Sequence, residues 1–162
     1  MDKIDALIKE LTLEEKVSIL SGSDSWHTTA VERLSIPRIK MTDGPNGARG
    51  DGVSKVSSAC YPNGSALAST WNTDLIEELG KSLGREAKSK DADVLLGPTI
   101  NIHRHPLGGR HFECYSEDPF LTGLVTVAYV KGVQSEGVAA CIKHFVGNDT
   151  EYQRHTVSSN IK

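Results

Sequence analysis

The chain has 162 residues, of which 38% are hydrophobic and 24% are charged, and its formal net charge is −3. These proportions are typical of a folded globular domain and exclude a disordered chain. No run of Lys and Arg predicts a nucleic-acid surface, and no apolar stretch reaches the roughly 20 residues that span a bilayer. We therefore expect neither nucleic acid nor a membrane as a partner.

The cysteines and the N-terminal stretch indicate the cellular compartment of the protein. Cys60, Cys114 and Cys141 are odd in number and widely spaced. The stretch MDKIDALIKELTLEEK carries charges throughout and lacks the apolar core of a signal peptide. Scattered thiols without a signal are typical of a reducing compartment. The sequence therefore predicts a cytoplasmic protein.

The first part of the chain predicts short elements. Apolar spacing over Ile4 to Leu20 predicts two short helices that meet near Leu11, and Thr12 with Glu15 has the spacing of a capping box. A loop over 21–29 and a short strand over 39–42 follow. Two turns are predicted by their Gly, Pro and Asn residues, over 43–47 and over 61–64.

The second part predicts longer elements. A helix is expected to begin at Asn72 or Thr73 and to run to about Lys90, with an apolar face of Leu75, Ile76, Leu79, Leu83 and Ala87. A buried strand is expected over 93–96. The next helix is expected over 119–134, started by Glu117-Asp118-Pro119, with a buried stripe of Leu121, Leu124, Val125, Ala128, Tyr129 and Val133. The run VAACIKHF, 138–145, predicts the following strand.

Helix, strand, loop, helix and strand in this order indicate an α/β protein with parallel strands and crossover helices. Polar residues follow each predicted strand: Asp43, then Arg110 in the loop 108–119, then Lys143 with His144. In a β/α barrel such positions all face the C-terminal mouth, where sites are built. We therefore expect these four residues to form one site.

The four side chains suit a ligand with several adjacent hydroxyl groups. Arg110 and Lys143 donate hydrogen bonds, Asp43 accepts them, and His144 does both. A phosphate is the competing ligand, because Arg, Lys and His suit an anion. However, Asp43 would repel it, and the chain has neither a P-loop nor a dinucleotide-binding fingerprint.

Metal binding and thiol chemistry compete with hydroxyl binding as functions of this region. His103 and His105, with His111, Glu113 and Cys114 nearby, lack a third ligand at a zinc-type spacing. Cys141 lies within an apolar run and is expected to be a small buried hydrophobe, so neither it nor Cys114 is favoured as a nucleophile. We predict no metal and no cofactor.

Structural roles compete with ligand binding at the same positions. Asp43 could cap the turn before Pro45, and Arg110 could pair with an acidic residue of its own loop, at position 113, 117 or 118. Lys143, at the end of an apolar strand, requires a carboxylate or a ligand beside it. Trp71 and Phe112 are expected to pack in the core or against loops.

The motifs MTDGPNGARG, LAST-W, LLGPTINIHRHPLGGRHFECYSEDP and IKHFVGND follow one another as in glycoside hydrolase family 3. The chain resembles the β-glucosidase branch of that family from about Leu11 to its end. The resemblance implies a (β/α)₈ barrel for the first domain and release of a terminal β-linked sugar with retention. It places Asp43, Arg110, Lys143 and His144 on sugar hydroxyls in the first subsite, and it implies a partly cis backbone at the Lys-His segment.

The catalytic carboxylates of that family have no counterpart in this chain. Retaining glycosidases use two carboxyl groups about 5 Å apart. The family's nucleophile lies in a Ser-Asp-Trp motif, and the similar string Ser23-Asp24-Ser25-Trp26 precedes the first strand and has an extra Ser. Asp149 and Glu151 do not match the catalytic pair either. We therefore assign no catalytic residue.

Chain length agrees with an incomplete enzyme. A complete barrel takes about 250 residues, so residues 1–162 are expected to form the N-terminal portion of the barrel domain, with three or four strands. Three interpretations follow: part of a β-glucosidase, an inactive truncated fragment, or a stand-alone sugar-binding module. The expected partners are a β-glucoside or oligosaccharide and either a chain that completes the barrel or a second copy. Sugar and linkage preference are not predicted.

Overall fold

The computed structural model describes residues 3–50 and 57–160. Within these ranges it has five α-helices: α1 (Lys3–Glu10), α2 (Leu13–Leu20), α3 (Gly64–Ala68), α4 (Thr73–Lys88) and α5 (Pro119–Ser135). It has three strands: β1 (Met41–Asp43), β2 (Val94–Leu96) and β3 (Ala139–Ala140). The chain divides into two compact units, Met1–Met41 and Thr42–Lys162. None of the helices in the described ranges has the length and apolarity needed to cross a membrane.

The first unit contains the two predicted short helices, and its capping box is confirmed. Thr12 Oγ1 accepts the Glu15 N–H at 3.2 Å, and Glu15 Oε2 accepts the Thr12 N–H at 2.9 Å. Arg33 donates to the Glu15 carboxylate at 2.7 Å and to the Glu10 carbonyl at 2.8 Å. The Arg33 hydrogen bond, followed by the Thr12 N–H, lowers the pKa of Glu15 to about 2. These contacts join the end of α1 to the start of α2.

Asp24, in the same unit, closes a local turn. Its carboxylate accepts the Trp26 N–H at 2.8 Å and contacts His27 Nδ1 at 2.8 Å. The Trp26 N–H and then the His27 hydrogen bond lower the pKa of Asp24. The string that partly matches the family's nucleophile motif thus has a structural role in this turn.

The second unit is built around a small sheet of order β1-β2-β3. The predicted parallel pairing is confirmed for β2 and β3, in the register Val94 to Ala139 and Leu95 to Ala140. The strand predicted over 138–145 is regular only at 139–140, although Lys143 N–H still donates to the Pro98 carbonyl at 2.9 Å. The ladder is interrupted because Pro98 has no N–H to donate. The first strand lies at 41–43 rather than 39–42.

The two long helices form as predicted and pack against each other. The Asn72 side chain caps α4, and Asp118 caps α5 with Pro119 in its first turn. Tyr129 and Ile76 are fully buried in the core. At the crossing, an added Cβ at Gly132 would lie 2.2 Å from the Glu77 carbonyl oxygen. The helix backbones therefore approach closer than any side chain would allow.

Several packing predictions were wrong. Leu75 and Leu124 lie at the margins of their helices' apolar faces and are exposed, as are Trp71 and Phe112, which lie outside the α-helices and strands. Cys141 is exposed because it follows the edge strand β3, where a sheet of three strands leaves one side in water.

The turn predicted over 61–64 instead leads directly into a helix. Asn63 is the N-cap of α3, and its side chain accepts the Ala66 N–H at 3.0 Å. The sequence of this short helix, GSALA, is too short for an apolar periodicity to be visible.

Candidate functional site

The four predicted residues come together at one end of the sheet. Asp43 ends β1, Arg110 lies in the loop after β2, and Lys143 and His144 follow β3. Lys143 Nζ donates to Asp43 Oδ1 at 2.6 Å, and Arg110 Nη2 lies 3.2 Å from His144 Nε2. The first three line an open cleft of about 460 Å³, and His144 lies behind Arg110.

Asp43 is held as a carboxylate by two cations. Lys143 binds one oxygen, and Arg49 binds the other. Burial raises the pKa of Asp43, but the hydrogen bond and charge of Lys143 outweigh burial, so the pKa lies below its ordinary value. Asp43 is therefore ionised at neutral pH and suits accepting hydrogen bonds rather than donating a proton.

The Asp43–Lys143 pair also accounts for the position of the lysine. The Lys143 side chain is 16% exposed at the end of the last strand. A charge in such a position requires a partner, and the carboxylate that the sequence predicted beside it is Asp43.

Arg110 is oriented by acidic side chains. Its Nε is paired with Glu113, as one of the predicted loop contacts, and Nη1 lies 3.7 Å from Glu151. Burial lowers the pKa of Arg110, but the Glu113 hydrogen bond and charge outweigh it and raise the pKa. The guanidinium is therefore permanently charged and fixed in direction at the cleft.

His144 is held by Asn101, which is almost fully buried. Asn101 Oδ1 accepts the His144 backbone N–H at 3.1 Å and contacts Nδ1 at 3.2 Å. Asn101 Nδ2 donates to the His144 carbonyl at 3.3 Å. An amide oxygen only accepts, so Nδ1 carries the ring proton. Asn101 thus fixes both the backbone and the tautomer of His144.

The backbone of this segment contains two unusual peptide bonds. The Lys143–His144 and Phe145–Val146 bonds are cis, as is Gly97–Pro98 in the segment that faces them. The first agrees with the partly cis Lys-His backbone that the resemblance implied.

The turn that carries Asp43 is anchored from the core. The buried hydroxyl of Tyr129 in α5 donates to the Pro45 carbonyl at 2.9 Å. Burial raises the pKa of Tyr129 well above its ordinary value, so the hydroxyl keeps its proton.

Two residues of the site, Arg49 and Asn101, were not predicted, whereas Glu113 was predicted only as a possible partner of Arg110. Arg49 and Glu113 line the cleft, and Asn101 lies behind it. Arg49 belongs to the motif MTDGPNGARG, and its six-residue distance from Asp43 was an available signal. Asn101 follows β2 as Arg110 does, so position after a strand could also have indicated it.

Metal binding and thiol chemistry find little support in the geometry. In the described ranges, no group of three or more His, Cys, Asp or Glu side chains is placed to hold a metal ion. His111 Nε2 contacts the His105 carbonyl at 2.6 Å. Burial, and then the charge of Glu113, raise the pKa of Cys114 to about 11, so its thiolate is scarce at neutral pH.

Comparison with known proteins gives a family match over nearly the whole chain. The model of the glycosyl hydrolase family 3 N terminal domain matches residues 6–161. A β-glucosidase of Rhizobium radiobacter is 60% identical over 160 residues, which is 98% of this chain and 20% of the relative. The chain spans about a fifth of the length of the curated relatives it matches.

The solved structures that this chain resembles are also β-glucosidases. The crystal structure of β-glucosidase from Kluyveromyces marxianus in complex with glucose has a TM-score of 0.89 and 51% identity, over 93% of this chain and 18% of that one. β-Glucosidase 3B from Thermotoga neapolitana in complex with glucose has a TM-score of 0.85 and 42% identity, over 93% of this chain and 24% of that one.

Proposed function

Since the chain belongs to glycosyl hydrolase family 3, we propose that it supplies the sugar-binding part of a retaining β-glucosidase. The observation that carries the proposal is the Asp43–Lys143 pair, which lines one cleft together with Arg110. Acceptors and charged donors side by side match hydroxyl groups, each of which donates and accepts. Similarity to two enzymes crystallised with glucose supports a terminal β-glucosyl residue as the ligand.

In this proposal Asp43, Arg110 and Lys143 bind sugar hydroxyls directly. His144 binds through Nε2 or holds Arg110 in place. The hydrogen bond between Lys143 and Asp43 uses one donor of the ammonium group and one lone pair of the carboxylate. The remaining donors of Lys143 and lone pairs of Asp43 can bind the ligand. A phosphate would have to lie beside the Asp43 carboxylate, which disfavours it.

The bond-breaking carboxylates are proposed to lie outside this chain. A general acid requires a raised pKa, whereas the pKa values of Asp24, Asp43 and Glu151 are all lowered. Asp149 is paired with Arg104. The chain by itself is therefore proposed to bind the substrate without hydrolysing it.

Residues 1–162 are proposed to be the N-terminal portion of a (β/α)₈ barrel. The described sheet has three strands, whereas a closed barrel has eight. Beyond His144 the chain presents apolar side chains to water: Phe145 is 96% exposed and Val146 is 68% exposed. With Ile142 and Val127 they line an apolar cleft of about 450 Å³. Such a surface is expected where further barrel strands or another chain would cover it.

Titration calorimetry with glucose tests the binding proposal. The wild-type chain is expected to bind weakly, and Lys143→Met is expected to weaken binding at least about tenfold. Glu78→Gln, which alters an exposed pair of α4, is the control. Equal affinity of Lys143→Met and wild type would contradict the proposal.

Hydrolysis of an aryl β-glucoside tests whether bond cleavage requires carboxylates outside this chain. The purified 162-residue chain is expected to give no turnover, and a longer chain that includes both the Ser-Asp-Trp motif and the acid/base carboxylate is expected to gain it. If the 162-residue chain hydrolyses the glucoside and Asp24→Asn abolishes that activity, catalysis would be assigned to Asp24 instead.

A further inference from the structure

Glu86 and Lys90 of the α4 region form a charged pair that is held away from water. The Lys90 side chain is 4% exposed and that of Glu86 is 14% exposed, with 3.3 Å between Lys90 Nζ and Glu86 Oε1. Burying two charges is unfavourable unless further hydrogen bonds compensate each of them. In the Lys81–Glu78 pair of α4, by contrast, the side chains are 29% and 66% exposed. The burial of Glu86 and Lys90 therefore requires an explanation beyond helix stability.

The pair binds the backbone of two segments that are separated along the chain. Glu86 Oε2 accepts the Ala48 N–H at 2.9 Å, and Oε1 accepts the Ala59 N–H at 2.6 Å. Lys90 Nζ donates to the Ala48 carbonyl, and to Ser58 Oγ at 2.8 Å. Ser58 Oγ itself donates to the Ala48 carbonyl at 2.7 Å. One side chain near the end of α4 and one in the turn that follows it thus clamp both segments together.

The clamped segments form one wall of the cleft. Gly47 and Ala59 belong to its lining, whereas Glu86 and Lys90 do not. The segments touch through backbone, because an added Cβ at Gly47 would lie 2.0 Å from the Ala59 carbonyl oxygen. Arg49, next to the clamped Ala48, binds Asp43. The clamp therefore fixes the wall relative to the carboxylate on which the binding site depends.

We propose that Glu86 and Lys90 are positioning residues of the sugar site, which set the width of the cleft without touching the ligand. This inference rests on the proposed function. Loss of the clamp is expected to let the wall move and to lower sugar affinity while the α4–α5 crossing keeps its packing, because neither Glu86 nor Lys90 takes part in the close contacts of Gly80 and Gly132.

The test compares Glu86→Gln with wild type in NMR titrations with glucose, well below the unfolding temperature. There the folded fraction is close to one, so a loss of global stability alone does not change the measured affinity. We expect affinity to fall at least about fivefold. Glutamine keeps only one acceptor oxygen, so either the Ala48 or the Ala59 amide loses its acceptor. The hydrogen of that amide is expected to exchange with deuterium at least about tenfold faster, whereas the exchange rate of the Tyr129 amide is expected to stay unchanged.

Two further variants keep the test decisive. Glu78→Gln is the matched control on the exposed side of α4 and is expected to change neither readout. If Glu86→Gln does not fold, the double variant Glu86→Gln/Lys90→Met removes both charges and is measured instead, with the same expected loss.

The outcomes separate this inference from the function on which it rests. Unchanged glucose affinity in the folded variant overturns the positioning role alone. A wild-type chain that shows no response to glucose overturns the proposed function, and the positioning role with it.

Discussion

The guanidinium of Arg110 lies 3.2 Å from Nε2 of His144, and this contact determines the protonation state of the ring. Arginine only donates hydrogen bonds, so Nε2 must accept, while Nδ1 carries the proton that Asn101 Oδ1 receives. Burial, and then the charges of Arg110 and Lys143, lower the pKa of His144. The ring is therefore neutral at pH 7, and the site carries its positive charge on the arginine and lysine side chains.

The stability of the chain is expected to fall as the pH drops below the ordinary histidine pKa of 6.5. The unfolded ring then binds a proton that the folded ring resists, so the contribution of His144 to the free energy of unfolding decreases down to its lower folded pKa. Urea unfolding of wild type and His144→Gln from pH 8 to 5 measures this. The lowered pKa of Asp43 affects the free energy of unfolding in a separate pH range, below the ordinary value of 3.8. Identical pH profiles for the two proteins would contradict the expectation.

Asn101→Asp is expected to raise the pKa of His144. The substitution places a carboxylate beside Nδ1–H, and an opposite charge favours the imidazolium. NMR titration of the His144 ring measures the shift, which should make the ring cationic beside Arg110 and weaken glucose binding. Asn72→Asp, which preserves the N-cap of α4, is the control and should leave the ring unaffected. A His144 pKa equal to that of wild type would show that Asn101 does not govern the ring.

Asp43→Asn is expected to lower the free energy of unfolding by about 1–3 kcal/mol, because it leaves the Lys143 charge without its carboxylate. Glucose binding should be lost in the same variant. Chemical denaturation and calorimetry measure the two effects. Glu78→Gln disrupts a pair at the surface, so no resolvable change in the free energy of unfolding is expected there. Comparable losses in both variants would mean that the pair at the cleft adds nothing beyond a surface contact.

The α4–α5 crossing provides a test within one helix. Gly132→Ala is expected to destabilise the chain by about 1–3 kcal/mol, because its Cβ would meet the Glu77 carbonyl oxygen. Gly123→Ala in the same helix meets no atom within 4 Å and is expected to stabilise by up to about 1 kcal/mol. Thermal unfolding of the two variants should shift in opposite directions, and equal shifts would rule out close backbone packing as the cause.

The double variant Phe145→Ser/Val146→Ser is expected to reduce self-association. Both side chains are mostly exposed beside an apolar cleft, where they favour contact with another apolar surface. Light scattering at increasing concentration measures the change, and Leu107→Ser, at an exposed site that does not line this cleft, is the control. If the control reduces scattering as much as the double variant, general surface hydrophobicity is responsible.

Local rules predicted the elements whose signals lie close together in sequence. The capping box at Thr12, the helix start at Asn72 or Thr73 and the Asp118-Pro119 start each depend on contacts within three residues, and each is present. The short helix α3 was missed because five residues show no periodicity. The exposure of Leu124 and Cys141 depends on which layers cover them, and that is a property of the tertiary structure.

Position after a strand predicted which side chains meet in the site. Asp43 and Lys143 are 100 residues apart and yet form a hydrogen bond. The same rule did not show how the site residues are oriented, because the hydrogen bonds of Asn101 to His144 and of Glu113 to Arg110 depend on distances and angles that no spacing in the sequence encodes. The meeting of the four side chains was thus predictable, and their internal hydrogen-bond network was not.

Tyr129 belongs to the buried core, and its hydroxyl supports the turn at the cleft. The ring is fully buried, and the oxygen holds the turn that follows Asp43 through the Pro45 carbonyl. Any event that loosens the interior therefore also releases the turn beside the binding site. Heat or a distant core substitution would erode ligand recognition in step with packing, so the loss of affinity and the first stage of melting would be one process rather than two.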